Sequence, residues 1–182
     1  MRLNSDSLIR ISKTTIYIGL FIIVSASFMS QLLDFIRAHI GEFSLTILIG
    51  LILIGTGLAF LIFTIRENPD LIRVSATILI LIVGLVLAWQ IRLLAERIHI
   101  LEYGILGWFA GRDLIKREKR VRGIILAGIF SALIGVFDEA FQAILPYRFF
   151  DLRDIGFNTL GGVWGVILYL LGSAPFFHLK IV

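Results

Sequence analysis

At 182 residues, 58% hydrophobic and 16% charged, the chain is far oilier than a soluble domain, which averages about 45–50% apolar and about 25% charged. The absence of cysteine excludes disulfides and thiolate metal sites. The net charge of +4 comes without a basic patch interleaved with aromatics, which argues against nucleic acid as a partner; between apolar runs, positive charge sets topology and meets anionic lipid instead.

The first apolar run follows Lys13 and lacks a small-residue cleavage site before a polar mature chain, so it reads as a retained span over Thr14–Leu33 rather than a removed signal peptide. A span needs roughly 20 apolar residues to cross about 30 Å of hydrocarbon. Phe43–Ile65 and Val74–Leu94 also meet that length. A shorter fourth run, Ile98–Ala110, carries His99 and Glu102 near its start. Arg122–Leu145 and Asp154–Leu171 complete the set. Each is expected to be helical, because a span must satisfy its own backbone. Turn chemistry marks the joints at Glu67-Asn68-Pro69-Asp70 and at Pro146-Tyr147-Arg148. The expected fold is therefore all-α, a polytopic transmembrane bundle of about six spans in one compact domain.

Charge gives the orientation. With the N-terminus inside, twelve of the seventeen Lys and Arg residues fall on the inner side, six of them in the stretch from Arg112 to Arg122. That bias places both termini in the cytoplasm. It also puts the start of span four, the end of span five and the start of span six together near the outer surface. Gly107/Gly111 and Gly161/Gly165 have the four-residue spacing that lets helices approach closely, which would bring spans four and six within reach of a shared site.

The polar residues at those three ends form the candidate site. His99, Glu102 and Tyr103 lie within one turn of span four. Asp138, Glu139 and Gln142 close span five, and Asp154 and Asn158 open span six. Arg148 and Arg153 lie between the last two groups, with Arg153 and Tyr103 the best fits to simple interfacial anchors. Ionisable groups at membrane depth are costly and mark function. A histidine beside a carboxylate can act as a general base, and paired carboxylates can divide acid and base roles. Arg148 suits a phosphate or carboxylate fork, and the opening turn of span six offers free backbone donors. On this reading His99, Glu102, Asp138 and Glu139 carry chemistry, while Tyr103, Gln142, Arg148, Asp154 and Asn158 bind substrate. Gln90 and Arg92 would line the rim. The competing reading is that such residues only bond one another across the bundle, at about 0.6 kcal/mol each. No cofactor or resident metal is expected: His39 and His178 lie in other segments, and the most these carboxylates suggest is a hard cation bridging them to a phosphate. Ser131 lies about two turns before Asp138 and no spacing pairs it with His99, so a Ser–His hydrolase is unsupported.

These residues resemble the VanZ-like family, named for a teicoplanin-resistance protein of bacteria. The pieces are His99-Ile100-Leu101-Glu102-Tyr103, Asp138-Glu139-Ala140-Phe141-Gln142, Pro146-Tyr147-Arg148, and Asp154 with Asn158 and Gly161 or Gly162. The resemblance covers about residues 78–171. It implies a four-helix core over residues 74–182, with residues 1–73 supplying a tail and two additional helices. It also implies a multi-pass protein of the bacterial cytoplasmic membrane, working in the cell envelope and linked to low-level glycopeptide resistance, with no settled reaction. Three functions follow as expectations: an enzyme acting on a phosphate-bearing or lipid-linked envelope substrate, a non-catalytic protein that holds such a precursor or the antibiotic, and a small proton-coupled transporter. The expected partners are membrane lipids and a lipid-linked precursor or glycopeptide. Charge gathered at one end, with no inverted repeat between the halves, disfavours the transporter. The oligomeric state is left open.

Overall fold

The computed structural model describes residues 11–91, 94–116 and 120–173. Arg92, His178, Lys180, Arg2, Arg10 and the centre of the basic run, Arg117 to Lys119, lie outside the described residues. The described chain is all-helical: α1 (Lys13–Ser25), α2 (Met29–Glu67), α3 (Leu71–Gln90), α4 (Leu94–Ile115), α5 (Arg120–Gln142) and α6 (Leu152–Ser173). Four of these, α2, α3, α5 and α6, are long and apolar enough to cross a membrane.

The first expected span departs from the structure. Its helix stops at Ser25 instead of reaching Leu33. The Ser25 hydroxyl donates to the Ile22 carbonyl and the Ser27 hydroxyl to the Val24 carbonyl. Such local side-chain bonds offer the backbone an alternative to the helical ladder. The chain then re-enters helix at Met29, well before the expected Phe43. A straight helix of 39 residues would run about 58 Å, nearly twice the hydrocarbon thickness of about 30 Å. Gly41, at φ 81°, breaks it into a short segment and a longer one. Only glycine takes that φ at no steric cost.

Contacts define two ends of the bundle. At one, Ser12 meets Asp113, Asn68 donates to the Gly172 carbonyl at 2.6 Å, and Gly123 lies against Leu114 and Ile115. At the other, Tyr147 donates to the Ser27 carbonyl and Leu33 packs with Leu45, Ile49 and Leu94. The turn at Pro69 is set by Asp70, whose side chain caps α3 by accepting from the Arg73 amide.

α4 is the centre. It touches every other helix, which explains why it tolerates the charges that keep its composition below that of a free span: its polar groups face protein rather than lipid. Close packing against α6 depends on absent side chains. A Cβ on Gly107 would collide with the Gly162 carbonyl, and one on Gly165 with the Gly104 carbonyl. The backbones therefore touch directly, as the glycine spacing predicts. Around this seam the apolar core forms from Tyr103, Leu106 and Ile22 toward one end and from Ala110, Leu114, Ala127 and Val166 toward the other. Outward-facing side chains such as Leu79, Phe137 and Ile72 are apolar and exposed, as a lipid-facing surface requires.

Candidate functional site

α4 delivers His99, Glu102 and Tyr103 from its first three turns, α5 delivers Asp138, Glu139 and Gln142 from its last two, and α6 delivers Asp154 and Asn158 from its first two. Glycine brings them together. Gly135 lets α5 approach the others, since a Cβ there would stand 3.0 Å from Asn158 Cβ. Gly161 does the same for α6, where a Cβ would lie 2.9 Å from the Ile100 carbonyl and 3.1 Å from Tyr103 Cβ.

Two chains of contact run through the cluster. In one, the Tyr103 hydroxyl donates to Asp138 Oδ2 at 3.2 Å, with both residues fully buried. The His99 ring lies 6.3 Å from that of Tyr103, centroid to centroid, and His99 Nδ1 is 3.5 Å from Glu102 Oε2. That distance serves ionic attraction but is not an aligned hydrogen bond. In the other, Gln142 Nε2 donates to Glu139 Oε1 at 3.0 Å, and Arg148 Nε donates to Gln142 Oε1 at 2.8 Å with Arg148 Nη2 on the same oxygen. The second oxygen of Glu139 accepts the Asp151 amide at 3.1 Å. Asp151 in turn is gripped by Arg153, whose Nη2 is 2.6 Å away and holds the Asp151 carboxyl below the ordinary carboxylate range. Asp154 lies within Coulombic reach of His99, Arg148 and Asp151.

The cluster is incompletely paired. Six buried side-chain polar atoms among the described residues have no hydrogen-bond partner within the protein, and five of them are here: His99 Nδ1, Asp138 Oδ1, Asp154 Oδ1, and both Nδ2 and Oδ1 of Asn158. Buried polar groups are ordinarily satisfied, because leaving one unmade costs roughly 1–3 kcal/mol. Asn158 is the extreme case, with neither donor nor acceptor used at zero exposure.

All nine residues singled out in the sequence thus lie at one end of the bundle. Arg148 departs from a free anion clamp in one respect: two of its N–H groups are committed to Gln142, so it also positions that amide. Glu96 was not foreseen. It is one turn before His99 and within Coulombic reach of Asp154, Arg153, Asp151 and His99. Its position in the first turn of α4 was the available signal. Gln90 borders the neighbouring cleft rather than the cluster itself. The Ser131 hydroxyl donates to the Ala127 carbonyl and packs against Gly162. Among the described residues no three His, Asp or Glu side chains are arranged to hold a metal ion.

A bundle of apolar helices with a polar cluster at one end describes a multi-pass membrane protein with one candidate site. A family model described as VanZ/LLP1 matches residues 16–173, and the chain belongs to this VanZ-like family. The match begins within α1 and takes in all six helices. No curated protein and no solved structure matches the chain.

Proposed function

We propose that the chain is a cell-envelope protein of the bacterial cytoplasmic membrane. On this reading both termini are cytoplasmic, and the polar cluster handles the head of a lipid-linked or phosphate-bearing envelope molecule at the extracytoplasmic face. By family resemblance this links the chain to glycopeptide resistance of the teicoplanin type. The observation that carries the reading is the set of five buried, unpartnered polar atoms converging from α4, α5 and α6. A cluster serving only to glue helices would pair its own groups; one that waits for a ligand leaves donors and acceptors aimed inward. His99 with Glu102 would supply base and orienter, Asp138 and Glu139 the acid and the second carboxylate, and Asn158 both a donor and an acceptor to the substrate.

Transport fits less well. Beneath the cluster α4 and α6 meet backbone to backbone at Gly107–Gly162 and Gly104–Gly165, and the Ser131 hydroxyl beside Gly162 is already bonded to the Ala127 carbonyl, which leaves little to pass an ion along.

The test is the thermal stability of the purified protein with and without envelope lipids, for wild type, Asn158→Leu and His99→Ala, with glycopeptide susceptibility measured in parallel. Stabilisation by one lipid class in wild type alone is the expected result. If both variants respond to lipid as wild type does and susceptibility is unchanged, the cluster is not a ligand site. Turnover of the stabilising lipid by wild type but not by His99→Ala would separate an enzyme from a protein that only holds its ligand.

A further inference from the structure

A cleft of about 770 Å³ opens on the lipid-facing side between α3 and α6, floored by α4 at Ile100. Its walls are apolar: Ile80, Val83 and Leu87 from α3, and Phe157, Leu160 and Trp164 from α6. Its polar residues gather at one end. Gln90, Glu96 and Arg153 border it there, at the same end of the bundle as the polar cluster. The far end is closed by Trp164, whose Nε1 donates to the Ile80 carbonyl at 3.0 Å. The indole reaches that position because Gly84 and Gly104 have no Cβ; one would stand 2.7 Å and 2.9 Å from the ring.

The dimensions are those of one leaflet. From Ile91 at the rim to Ile80 at the far end, the cleft follows eleven helical steps, a rise of about 16 Å against half of a hydrocarbon core of about 30 Å. Its volume lies within the roughly 300–1,000 Å³ of small-molecule sites. Its floor adjoins the cluster: Ile100 and Gly161 line the cleft. Gly161 stands between cleft and cluster, packing against both Ile100 and Tyr103.

We propose that this cleft takes one acyl chain of the amphiphile whose head group the polar cluster holds. The substrate then enters sideways from the outer leaflet, its chain lying against α3 and α6 and its head turning over the Glu96–Arg153 rim toward Asn158. This rests on the head-group reading above and adds to it the class of molecule: a membrane lipid with a hydrocarbon chain, rather than a water-soluble phosphate. Burial of each methylene is favourable, so the chain would account for much of the affinity.

The experiment is native mass spectrometry of the full chain released from detergent, titrated with dipalmitoyl phosphatidylethanolamine and, separately, with its soluble head group glycerophosphoethanolamine. The cleft is filled with Leu87→Trp or, independently, Val83→Phe; both positions are exposed on the lipid side, so neither disturbs the core. Leu79→Trp, exposed on α3 outside the cleft, is the control. One retained lipid in wild type and in Leu79→Trp is expected, with affinity falling about tenfold or more in both cleft variants and in Asn158→Leu, and little binding of the head group alone. Cleft variants that bind as wild type does, while Asn158→Leu fails, would overturn the cleft and leave the head-group reading standing. Loss in the cleft variants with Asn158→Leu unaffected would separate chain from cluster and overturn the proposal. A dimer that Leu87→Trp dissociates would give the cleft to a second copy of the chain and would also overturn it.

Discussion

The two ends of the bundle each bury a polar cluster, and the two are built on opposite terms. At the Lys13 end, Asp113 Oδ2 accepts the Ser12 amide at 2.7 Å and the Thr15 hydroxyl at 2.6 Å, while Oδ1 accepts Arg112 Nε at 3.1 Å and Nη2 at 3.0 Å. Arg112 Nη2 also donates to the Ser12 hydroxyl at 2.9 Å and lies over the Phe109 ring. No side-chain atom of this knot is among the unpartnered ones. At the other end, Asp138, Asp154, His99 and Asn158 leave five buried atoms unmatched. Burial taxes both clusters alike, so satisfaction is what separates them. The Asp113 knot fastens α1 to α4 and is complete in itself. The His99–Asn158 cluster leaves five atoms without a hydrogen bond inside the protein, and on the function proposed above a ligand takes them up.

That contrast predicts opposite responses to mutation. The largest effect should come from the seam that carries both clusters. Gly107→Leu puts side-chain atoms into the Gly162 backbone and must part the helix that touches all the others, at a cost of about 3 kcal/mol or more; loss of the monodisperse folded species in size-exclusion chromatography reads it. Retention of a folded species with wild-type melting would mean the helices can separate freely there, and the shared site would lose its scaffold. Next comes Asp113→Ala, which strands the Arg112 guanidinium and the Ser12 and Thr15 donors at once. A loss of about 2–3 kcal/mol is expected in equilibrium unfolding, with Asp113→Asn recovering part of it. Asn158→Leu should do the reverse. It removes two unpartnered groups and keeps the branching of the side chain, but its methyl groups are bulkier than the amide; relief of the unmade bonds set against overpacking should leave stability within about 1 kcal/mol of wild type, while lipid-dependent stabilisation disappears. A destabilisation comparable to that of Asp113→Ala would erase the distinction between the clusters.

The His99–Asn158 cluster was legible in the sequence and the Asp113 knot was not, for a physical reason. His99, Glu102, Asp138, Glu139 and Asn158 interrupt apolar runs, and a charge inside a hydrophobic stretch is conspicuous. Asp113 and Arg112 sit at the mouth of a basic run, where charge is unremarkable and reads as a topology anchor. Ser12 and Thr15 show as a helix-capping pair at best, because their partner lies about a hundred positions away. The glycine spacing gave the α4–α6 contact, since close approach leaves a residue-level trace. The break at Ser25–Phe28 left only two serines in an otherwise continuous apolar run, and hydropathy has no means to register a turn made by hydroxyls bonding backward. The bend at Gly41 is equally silent, because an isolated glycine in a helix announces either packing or a turn. The α3–α6 cleft needs tertiary structure altogether: its walls are ordinary lipid-facing residues until Trp164 closes one end.

The smallest effect should come from Asp151, and its smallness tests where the cluster stops. The Asp151–Arg153 pair is on the surface, with the arginine side chain 76% exposed, and exposed pairs add little. Because Arg153 lowers the Asp151 proton affinity in the folded chain, whatever the pair contributes is present above the ordinary carboxylate range and is lost as the pH falls through the depressed value. It should also fade at high salt, within a screening length of about 8–10 Å. Asp151→Asn should therefore leave the melting temperature at neutral pH and moderate salt unchanged. The Asp151 amide that donates to Glu139 belongs to the backbone and survives the substitution, so ligand-dependent stabilisation should survive with it. If instead Asp151→Asn abolishes the response to lipid while sparing the fold, the carboxylate is part of the site, and the boundary of the unsatisfied cluster moves outward from α6 into the loop that precedes it.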